Sequence, residues 1–218
     1  MSRLEDNFRK VEPYVPGEQP NLPDMVKLNT NENPYPPSPK VAEALQKFEL
    51  DSLRLYPDPA STDLVNALAE KYHVQADQVY TGVGSDDVLA IAFLTFFNSG
   101  KPILFPDITY SFYDVWAELF QIPYERPALD DAFALRLEDY QCENGGIVIA
   151  NPNAPTGIRQ SEEFLRAVIE ANPNVVVIID EAYADFSGYT ALPLVDEYEN
   201  VVVVQTFSKS RSMAGMRI

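Results

Sequence analysis

The chain has 218 residues, of which 46% are apolar, as in an ordinary globular domain with a buried core. Sixteen Lys and Arg against 33 Asp and Glu give a net charge of −17, which argues against broad binding to nucleic acid or anionic membranes. The longest apolar stretch, residues 88–97, is too short to cross a bilayer, and the charged first residues lack a signal-peptide core. We therefore expect a cytoplasmic protein.

The chain contains one cysteine, Cys142, and one histidine, His73. A single cysteine excludes an internal disulfide and a cysteine metal cluster. A single histidine leaves little room for a histidine metal site or a Ser-His-Asp relay. We therefore expect no metal, and we expect any chemistry to come from a bound cofactor.

The first 37 residues are rich in proline and asparagine and show no sustained helical or strand period. A helix is predicted to follow them, because Ser38 can cap it and Pro39 suits its first turn. A second helix is predicted over residues 62–73. The sequence thus predicts an extended N-terminal arm over residues 1–37 and a larger domain over residues 38–218.

From residue 79 onward, short apolar runs alternate with helical patterns. The predicted strands are 79–81, 102–105, 146–150, 175–180 and 201–205, and the predicted helices are 85–97, 109–120 and 161–171. This alternation predicts an α/β fold with a mostly parallel sheet and helices on both faces. Ligands of such sheets bind beyond the carboxyl ends of the strands, so the residues that follow each strand are the candidate site.

Two glycines follow the first predicted strand. Gly82 and Gly84 allow a ligand close to the backbone, and Ser85 begins a helix, so this turn can hold an anion. Asp87 occupies the place of the third glycine of a dinucleotide-binding fingerprint, which disfavours a dinucleotide. Taken alone, the motif is also compatible with a simple glycine turn before a helix.

A carboxylate ends the predicted strand 175–180. A buried charge is costly without a partner, and a protonated pyridine nitrogen would be a suitable partner for Asp180. Tyr183 follows three residues later and can bond a ring oxygen of the same ligand. The alternative is that Asp180 and Glu181 cap the next element.

A lysine, Lys209, follows the last predicted strand. A lysine amine attacks an aldehyde only when it is unprotonated, a state that burial and the nearby cations Arg211 and Arg217 favour. Thr206 and Ser208 can bond a phosphate. The alternative is a solvated Ser-Lys-Ser turn.

Two further candidates follow other strands. Tyr110, near the start of a predicted helix, can stack its ring on a flat ligand, or it can be a core aromatic residue. Asn153 lies in residues 151–157, which indicate a tight Pro-Gly turn.

Seven stretches, in this order and spacing, resemble the aspartate-aminotransferase-like (fold type I) enzymes that use pyridoxal phosphate (PLP), and among them the histidinol-phosphate aminotransferase family. Each stretch alone is weak evidence, but together they span nearly the whole chain. They are residues 13–17, 28–35, 56–59, 82–86, 151–157, 180–186 and 206–217.

The resemblance implies that Lys209 binds the cofactor aldehyde covalently and that Asp180 pairs with the pyridine nitrogen. Tyr183 would bond the ring hydroxyl, and Tyr110 would stack on the ring. Tyr56 would reach the cofactor phosphate of the other subunit, which implies a homodimer with shared sites. The residues implied for the phosphate within the subunit are Gly84, Ser85, Asp86, Thr206, Ser208 and Arg217.

The sequence departs from the family pattern twice. Ala154 stands where the family usually has an asparagine that bonds the ring hydroxyl, so either Asn153 takes over or Tyr183 serves alone. The chain also stops at Ile218, whereas family members continue through the rest of the sheet and a small C-terminal domain. The resemblance therefore implies a large domain that is incomplete at its C-terminus.

The implied reaction is transamination with alternating substrates, in which Lys209 is leaving group, base and acid in turn. The family implies L-histidinol phosphate as amino donor and 2-oxoglutarate as 2-oxo acid, in histidine biosynthesis. Tyr14, in the arm, can approach the substrate or anchor the arm. Alternatives are an aromatic aminotransferase, a threonine-phosphate decarboxylase, and a noncatalytic chain or inactive fragment of such an enzyme.

Overall fold

The computed structural model describes residues 8–15, 17–18 and 22–218. No α-helix or strand precedes residue 39 in the described part of the arm. Among the described residues, no helix is long and apolar enough to span a membrane. The α-helices are α1 Pro39–Gln46, α2 Thr62–Tyr72, α3 Ser85–Phe96, α4 Phe112–Phe120, α5 Glu162–Ala171 and α6 Ala184–Ser187. The strands are β1 Ile103–Leu104, β2 Tyr124–Glu125, β3 Ile147–Ala150, β4 Val177–Asp180 and β5 Val201–Val204.

The five strands form one sheet with the order β2-β1-β3-β4-β5, and every neighbouring pair is parallel. The longest ladders join the last three strands, where Ala150 pairs with Asp180 and Asp180 pairs with Val204. The strand order reverses between β1 and β3, which is where ligands of such sheets bind. The predicted α/β fold is confirmed.

Helices cover the sheet on both faces because alternate strand residues point to opposite sides. Val148, Ile178 and Val204 pack in one core cluster with side chains of α3 and α4. Ile149 and Ile179, one residue further along, pack in the other cluster with α5. Each of these fully or nearly fully buried side chains stabilises the fold by about 1.5–3 kcal/mol. The continuous valine and isoleucine runs are therefore the sequence signal of a doubly covered sheet.

The strand predicted over residues 79–81 is wrong. A strand requires a hydrogen-bonded neighbour, and the described residues provide none for this segment. The segment instead borders a mainly apolar groove of about 240 Å³ that residues 201–205, in and after β5, also line. The apolar residues of this segment therefore line a groove and do not extend the sheet.

The helix predicted over residues 109–120 begins later, at Phe112. Tyr110 lies in the preceding turn, where its carbonyl accepts a hydrogen bond from the Tyr113 amide. The turn brings the Tyr110 side chain to the carboxyl ends of the strands, so this correction bears on the site.

Asn172 links the end of α5 to the loop of residues 140–144, and it is only 6% exposed. Its Nδ2 donates to the carbonyls of Tyr140 and Val168 at 2.7 and 2.8 Å, and its Oδ1 accepts from Asn144 at 2.7 Å. We expect Asn172→Ala to lower the free energy of unfolding by about 3 kcal/mol, because it leaves buried polar groups without partners.

Urea unfolding of the variant measures this loss. Asn98→Ala is the control, because Asn98 is exposed and also donates to two carbonyls, those of Leu94 and Thr95. We expect that control to lose less than about 1 kcal/mol, since water can replace its hydrogen bonds. Equal losses in the two variants would contradict the assigned role of Asn172.

Candidate active site

A cavity of about 150 Å³ lies at the carboxyl ends of β3, β4 and β5. Nine of the predicted site residues line it, together with small residues of the surrounding loops. The predicted residues are Ser85, Asp86, Tyr110, Asp180, Tyr183, Thr206, Ser208, Lys209 and Arg217, and the others are Ala150, Pro152, Ala154, Ala182 and Ala214. Residues from distant parts of the sequence meet here because parallel strands end at the same edge of the sheet.

Lys209 reaches the cavity from the loop that follows β5 and is half-buried. Its Nζ donates to the carbonyl of Thr30 in the N-terminal arm at 3.0 Å. Asn33 of the arm donates to the carbonyls of Lys209 and Ser210 at 3.1 and 3.2 Å. The arm therefore holds both the backbone and the amine of this lysine.

Asp180 ends β4 and is only 5% exposed. Its Oδ2 accepts from the Tyr113 hydroxyl at 2.6 Å, and its Oδ1 accepts from the Ala182 amide at 3.1 Å. Burial raises the pKa of this carboxyl above its usual value, although both hydrogen bonds oppose the shift. The carboxylate thus gains from any cation that enters the cavity.

Glu181, the next residue, is also buried, but three hydrogen-bond donors of the protein already bind its carboxylate. Its carboxylate accepts hydrogen bonds from the Thr190 hydroxyl at 2.7 Å, the Ala191 amide at 2.5 Å and the Gln205 side chain at 2.9 Å. Burial raises the pKa of this carboxyl as well. Because Glu181 does not line the cavity, we assign it a structural role that fixes the loops after β4 and β5.

Tyr183 faces Lys209 across the cavity mouth, with Nζ of the lysine 5.8 Å from the centre of the phenol ring. The Tyr183 hydroxyl accepts a hydrogen bond of 2.8 Å from Asn31 of the arm. Asn31 thereby contacts a cavity residue directly, as Thr30 does at Lys209.

The opposite end of the cavity is suited to an anion. Helix α3 begins there at Ser85, and Arg217 extends beside it, held by the carbonyls of Ala214 at 3.0 Å and Val83 at 3.3 Å. The hydroxyls of Thr206 and Ser208 lie 3.0 Å apart in the same wall. A helix N-terminus, a guanidinium and hydroxyl donors together form an anion site.

Tyr110 contributes an aromatic wall. Its hydroxyl donates to Asp86 at 2.9 Å, so one oxygen of this carboxylate is already bonded to protein. Burial and the Asp86 charge raise the pKa of the Tyr110 phenol, which therefore stays protonated.

Asn153 is the clearest departure from the sequence expectation. Its amide is buried, donates to the Ile108 carbonyl and the Thr156 hydroxyl, and accepts from Thr109. These bonds stabilise the loop, and Asn153 does not line the cavity, whereas Ala154 does. The expectation that Asn153 replaces the asparagine absent at Ala154 is therefore not supported by its position.

Three more predicted residues lie outside the cavity lining. Gly84 is buried at φ +88°, and its backbone packs against the Arg217 guanidinium. Tyr56 is fully exposed. Tyr14 stacks on Phe112 with ring centres 4.4 Å apart, so the structure favours its alternative role as an anchor of the arm.

The contacts of the arm with the cavity, and the contact of the buried Tyr113 with Asp180, were not predicted from the sequence. Thr30, Asn31 and Asn33 lie in a stretch that carries the family resemblance, but their contacts span more than 150 residues of sequence and have no local signal. Tyr113 stands one helical turn after Tyr110, a spacing that could have indicated a shared face.

The sequence matches a family model described as aminotransferase class I and II over residues 23–218. The histidinol-phosphate aminotransferase of Lactococcus lactis subsp. cremoris (strain MG1363) is 53% identical over 214 residues, which are 98% of this chain and 60% of that protein. That of Pseudomonas putida (strain W619) is 54% identical over 219 residues, covering 100% of this chain and 63% of that protein. The chain thus spans about 60% of the length of these curated relatives.

Solved structures share the fold. The aspartate aminotransferase of Thermotoga maritima superposes with a TM-score of 0.74 at 25% identity, over 89% of this chain and 57% of that one. The histidinol-phosphate aminotransferase of Sinorhizobium meliloti, crystallised in complex with pyridoxal-5'-phosphate, gives a TM-score of 0.73 at 23% identity. That comparison covers 86% of this chain and 53% of the other.

Proposed function

The chain belongs to the class I and II aminotransferases, and we propose that the protein catalyses PLP-dependent transamination. The observation that carries the proposal is one cavity lined by a lysine amine, a buried carboxylate and an aromatic ring, namely Lys209, Asp180 and Tyr110. Identities of 53–54% to histidinol-phosphate aminotransferases support L-histidinol phosphate as amino donor and a role in histidine biosynthesis. We propose 2-oxoglutarate as the 2-oxo acid.

The side chains present fit PLP by their chemistry. Lys209 offers an amine for the aldehyde, and Asp180 offers a buried carboxylate for the protonated pyridine nitrogen. Tyr110 offers a ring for stacking. The start of α3 and Arg217 offer donors and positive charge for the phosphate. When bound, PLP supplies an electron sink for the pair left on the substrate carbon.

Residues of the chain carry out the proton transfer and hold the cofactor ring. Lys209 moves a proton at the substrate's alpha carbon as base and then as acid, which requires a flexible amine free of the Thr30 carbonyl. Asp180 keeps the ring nitrogen protonated. Tyr183, beside Lys209, orients the ring oxygen. Tyr110, Ala154 and Ala182 line the cavity and would shield a bound ring from water.

Steady-state assays distinguish the proposed substrate from its rivals. We expect kcat/KM with 2-oxoglutarate to be highest for L-histidinol phosphate, when compared with phenylalanine and tyrosine as aromatic donors. Threonine phosphate tests the decarboxylase alternative through release of carbon dioxide. A higher kcat/KM for an aromatic amino acid would contradict the proposed substrate but leave the cofactor proposal standing.

We also propose that the protein is a cytoplasmic homodimer, with Tyr56 donated to the cofactor phosphate of the other subunit. Residues 1–37 would form the arm and residues 38–218 the cofactor-binding domain. Many apolar side chains in the first part of the chain are exposed, and they support association. These side chains include Phe8, Val15, Leu22, Val26, Leu28, Tyr35, Leu45, Phe48, Leu50, Leu53, Leu55 and Tyr56. Sedimentation equilibrium that gives the monomer mass at micromolar protein would contradict the dimer.

Gly84→Ala tests the phosphate end of the site. A Cβ at Gly84 would lie 2.5 Å from the Nη2 atom of Arg217, so the guanidinium has to move. We expect PLP affinity to fall by about tenfold or more, since one charge-assisted contact to the phosphate is disturbed. Isothermal titration of PLP into the apoprotein measures the change.

Gly100→Ala is the matched control for Gly84→Ala. Gly100 also has a positive φ, of +75°, but no atom lies within 4 Å of its added Cβ. Both variants carry the cost of an alanine at positive φ, which is larger at Gly84 because its ψ of 167° lies in a region that essentially only glycine adopts. Only Gly84→Ala displaces Arg217. Equal PLP affinity in the two variants would show that Arg217 does not bind the phosphate.

A further inference from the structure

A buried phenol contacts Asp180 without lining the cavity. Tyr113 is fully buried, and its hydroxyl donates to Oδ2 of Asp180 at 2.6 Å. Its ring cannot turn away, because it packs against four aromatic neighbours. They are Phe93, Phe105, Tyr110 and Trp116, with ring centres 5.7–6.2 Å from that of Tyr113. The hydrogen bond therefore has a fixed geometry.

The direction of this hydrogen bond is fixed as well. Burial and the charge of Asp180 raise the pKa of the Tyr113 phenol well above its ordinary value, so the phenol remains a donor at every working pH. No ion pair among the described residues includes Asp180. Tyr113 and the Ala182 amide are thus the donors recorded for this carboxylate.

The charges around Asp180 work in opposite directions. Asp86 of α3 and the adjacent buried Glu181 disfavour its ionisation. Lys209 and Arg217 line the same cavity, and their positive charges favour it. Tyr110 bonds Asp86 and does not bond Asp180. Among these side chains, Tyr113 is the one that contacts the Asp180 carboxylate directly, through the hydrogen bond from its hydroxyl.

We propose that Tyr113 is a positioning residue that makes Asp180 a weak enough base for the shared proton to stay on the pyridine nitrogen of the cofactor. The inference rests on the proposed function, because it requires PLP in the cavity. A proton between a carboxylate and a pyridine nitrogen resides on the stronger base. A short hydrogen bond from a phenol withdraws electron density from the carboxylate and lowers its basicity.

Removal of the phenol moves that proton. The buried carboxylate becomes more basic, the proton passes from the ring nitrogen to an oxygen of Asp180, and the ring is left neutral. A neutral pyridine accepts electrons less readily than a pyridinium, so the cofactor is a poorer electron sink. Tyr113 would thereby set the reactivity of a ring that it does not touch.

The test uses PLP labelled with ¹⁵N at the ring, bound to the wild type, Tyr113→Phe and Tyr140→Phe. Tyr140 is a matched control, because it is also buried and its hydroxyl has no hydrogen-bond partner in the described part of the chain. We expect the ¹⁵N chemical shift of a pyridinium in the wild type and in Tyr140→Phe. We expect Tyr113→Phe to shift towards neutral pyridine, with PLP affinity about tenfold weaker, or about 1.4 kcal/mol.

A graded substitution protects the test against a folding defect. 4-Aminophenylalanine at position 113 retains a donor of similar size but lower strength, so its ¹⁵N shift is expected between those of the wild type and Tyr113→Phe. If PLP binds both variants with the ¹⁵N shift of the wild type, the role of Tyr113 is wrong and the proposed function stands. If the wild type binds no PLP, the proposed function itself fails.

Discussion

Lys209→Ala is expected to lower the rate of transamination by at least about 10⁴-fold, the upper range of what one acid–base group contributes. The variant loses both the amine that binds the cofactor aldehyde and the base that moves the substrate proton. PLP is still expected to bind, because the donors at the start of α3 and Arg217 are unchanged. Single-turnover conversion of L-histidinol phosphate by the PLP-loaded variant measures the loss.

Lys209→Arg is the control for charge and packing. An arginine can keep the hydrogen bond to the Thr30 carbonyl, but its guanidinium does not give up its proton in proteins. We expect Lys209→Arg to be as inactive as Lys209→Ala. Activity of Lys209→Arg within tenfold of the wild type would show that the positive charge, and not the exchangeable proton, is what the site requires.

Asp180→Asn is expected to lower the transamination rate by about 10²–10³-fold, the typical loss when one charge-stabilising group is removed. An amide cannot hold a proton on the ring nitrogen as a carboxylate does. The same variant is expected to be more stable than the wild type without PLP at neutral pH. Asparagine can still accept from the Ala182 amide, and its NH₂ can donate to the Tyr113 oxygen. The Tyr113 proton then loses its acceptor, which costs less than a buried charge.

The gain in stability depends on pH in a defined direction. Because the folded-state pKa of Asp180 lies above its unfolded value, its ionised form destabilises the fold. That cost is absent below about pH 4, where the carboxyl is protonated in both states, and it grows as the pH rises to the folded-state pKa. Melting temperatures of Asp180→Asn and wild-type apoprotein should therefore diverge as the pH is raised.

Glu181→Gln is the matched control for Asp180→Asn. An N–H group donates to each oxygen of Glu181, from Ala191 at Oε1 and from Gln205 at Oε2, so an amide NH₂ would face an N–H donor in either orientation. We expect this variant to melt below the wild type at neutral pH, in contrast to Asp180→Asn. A lower melting temperature of Asp180→Asn at neutral pH would contradict the view that Asp180 is held ionised at a cost.

Much of the fold was predictable because the signal is local. Val177–Asp180 is buried throughout and Val201–Val204 is buried or partly buried, so the apolar character of each run is continuous up to Asp180 and Val204. Lys209 and Asp180 were identifiable for a related reason, since Asp180 ends one such run and Lys209 lies in the loop after the other. A parallel sheet brings the residues after its strands to one edge.

The features of the fold and of the site that were not predicted depend on contacts between residues that are distant in the sequence. A strand over residues 79–81 was predicted from its composition, but composition does not provide a neighbour to pair with. Asn153 carries the right donor for a ligand, yet Ile108, Thr109 and Thr156 bond its whole amide. No local pattern indicates either outcome, because each is decided by which segment lies opposite.

Reduction with borohydride identifies the lysine that holds PLP, because it makes the link between PLP and that amine permanent. The purified protein is incubated with PLP, reduced and digested, and its peptides are weighed by mass spectrometry, with Lys209→Ala in parallel. We expect one main labelled peptide, which contains Lys209, and no such label in the variant. Labelling at another lysine such as Lys101, or equal labelling of both proteins, would contradict the assignment of the cavity as a PLP site.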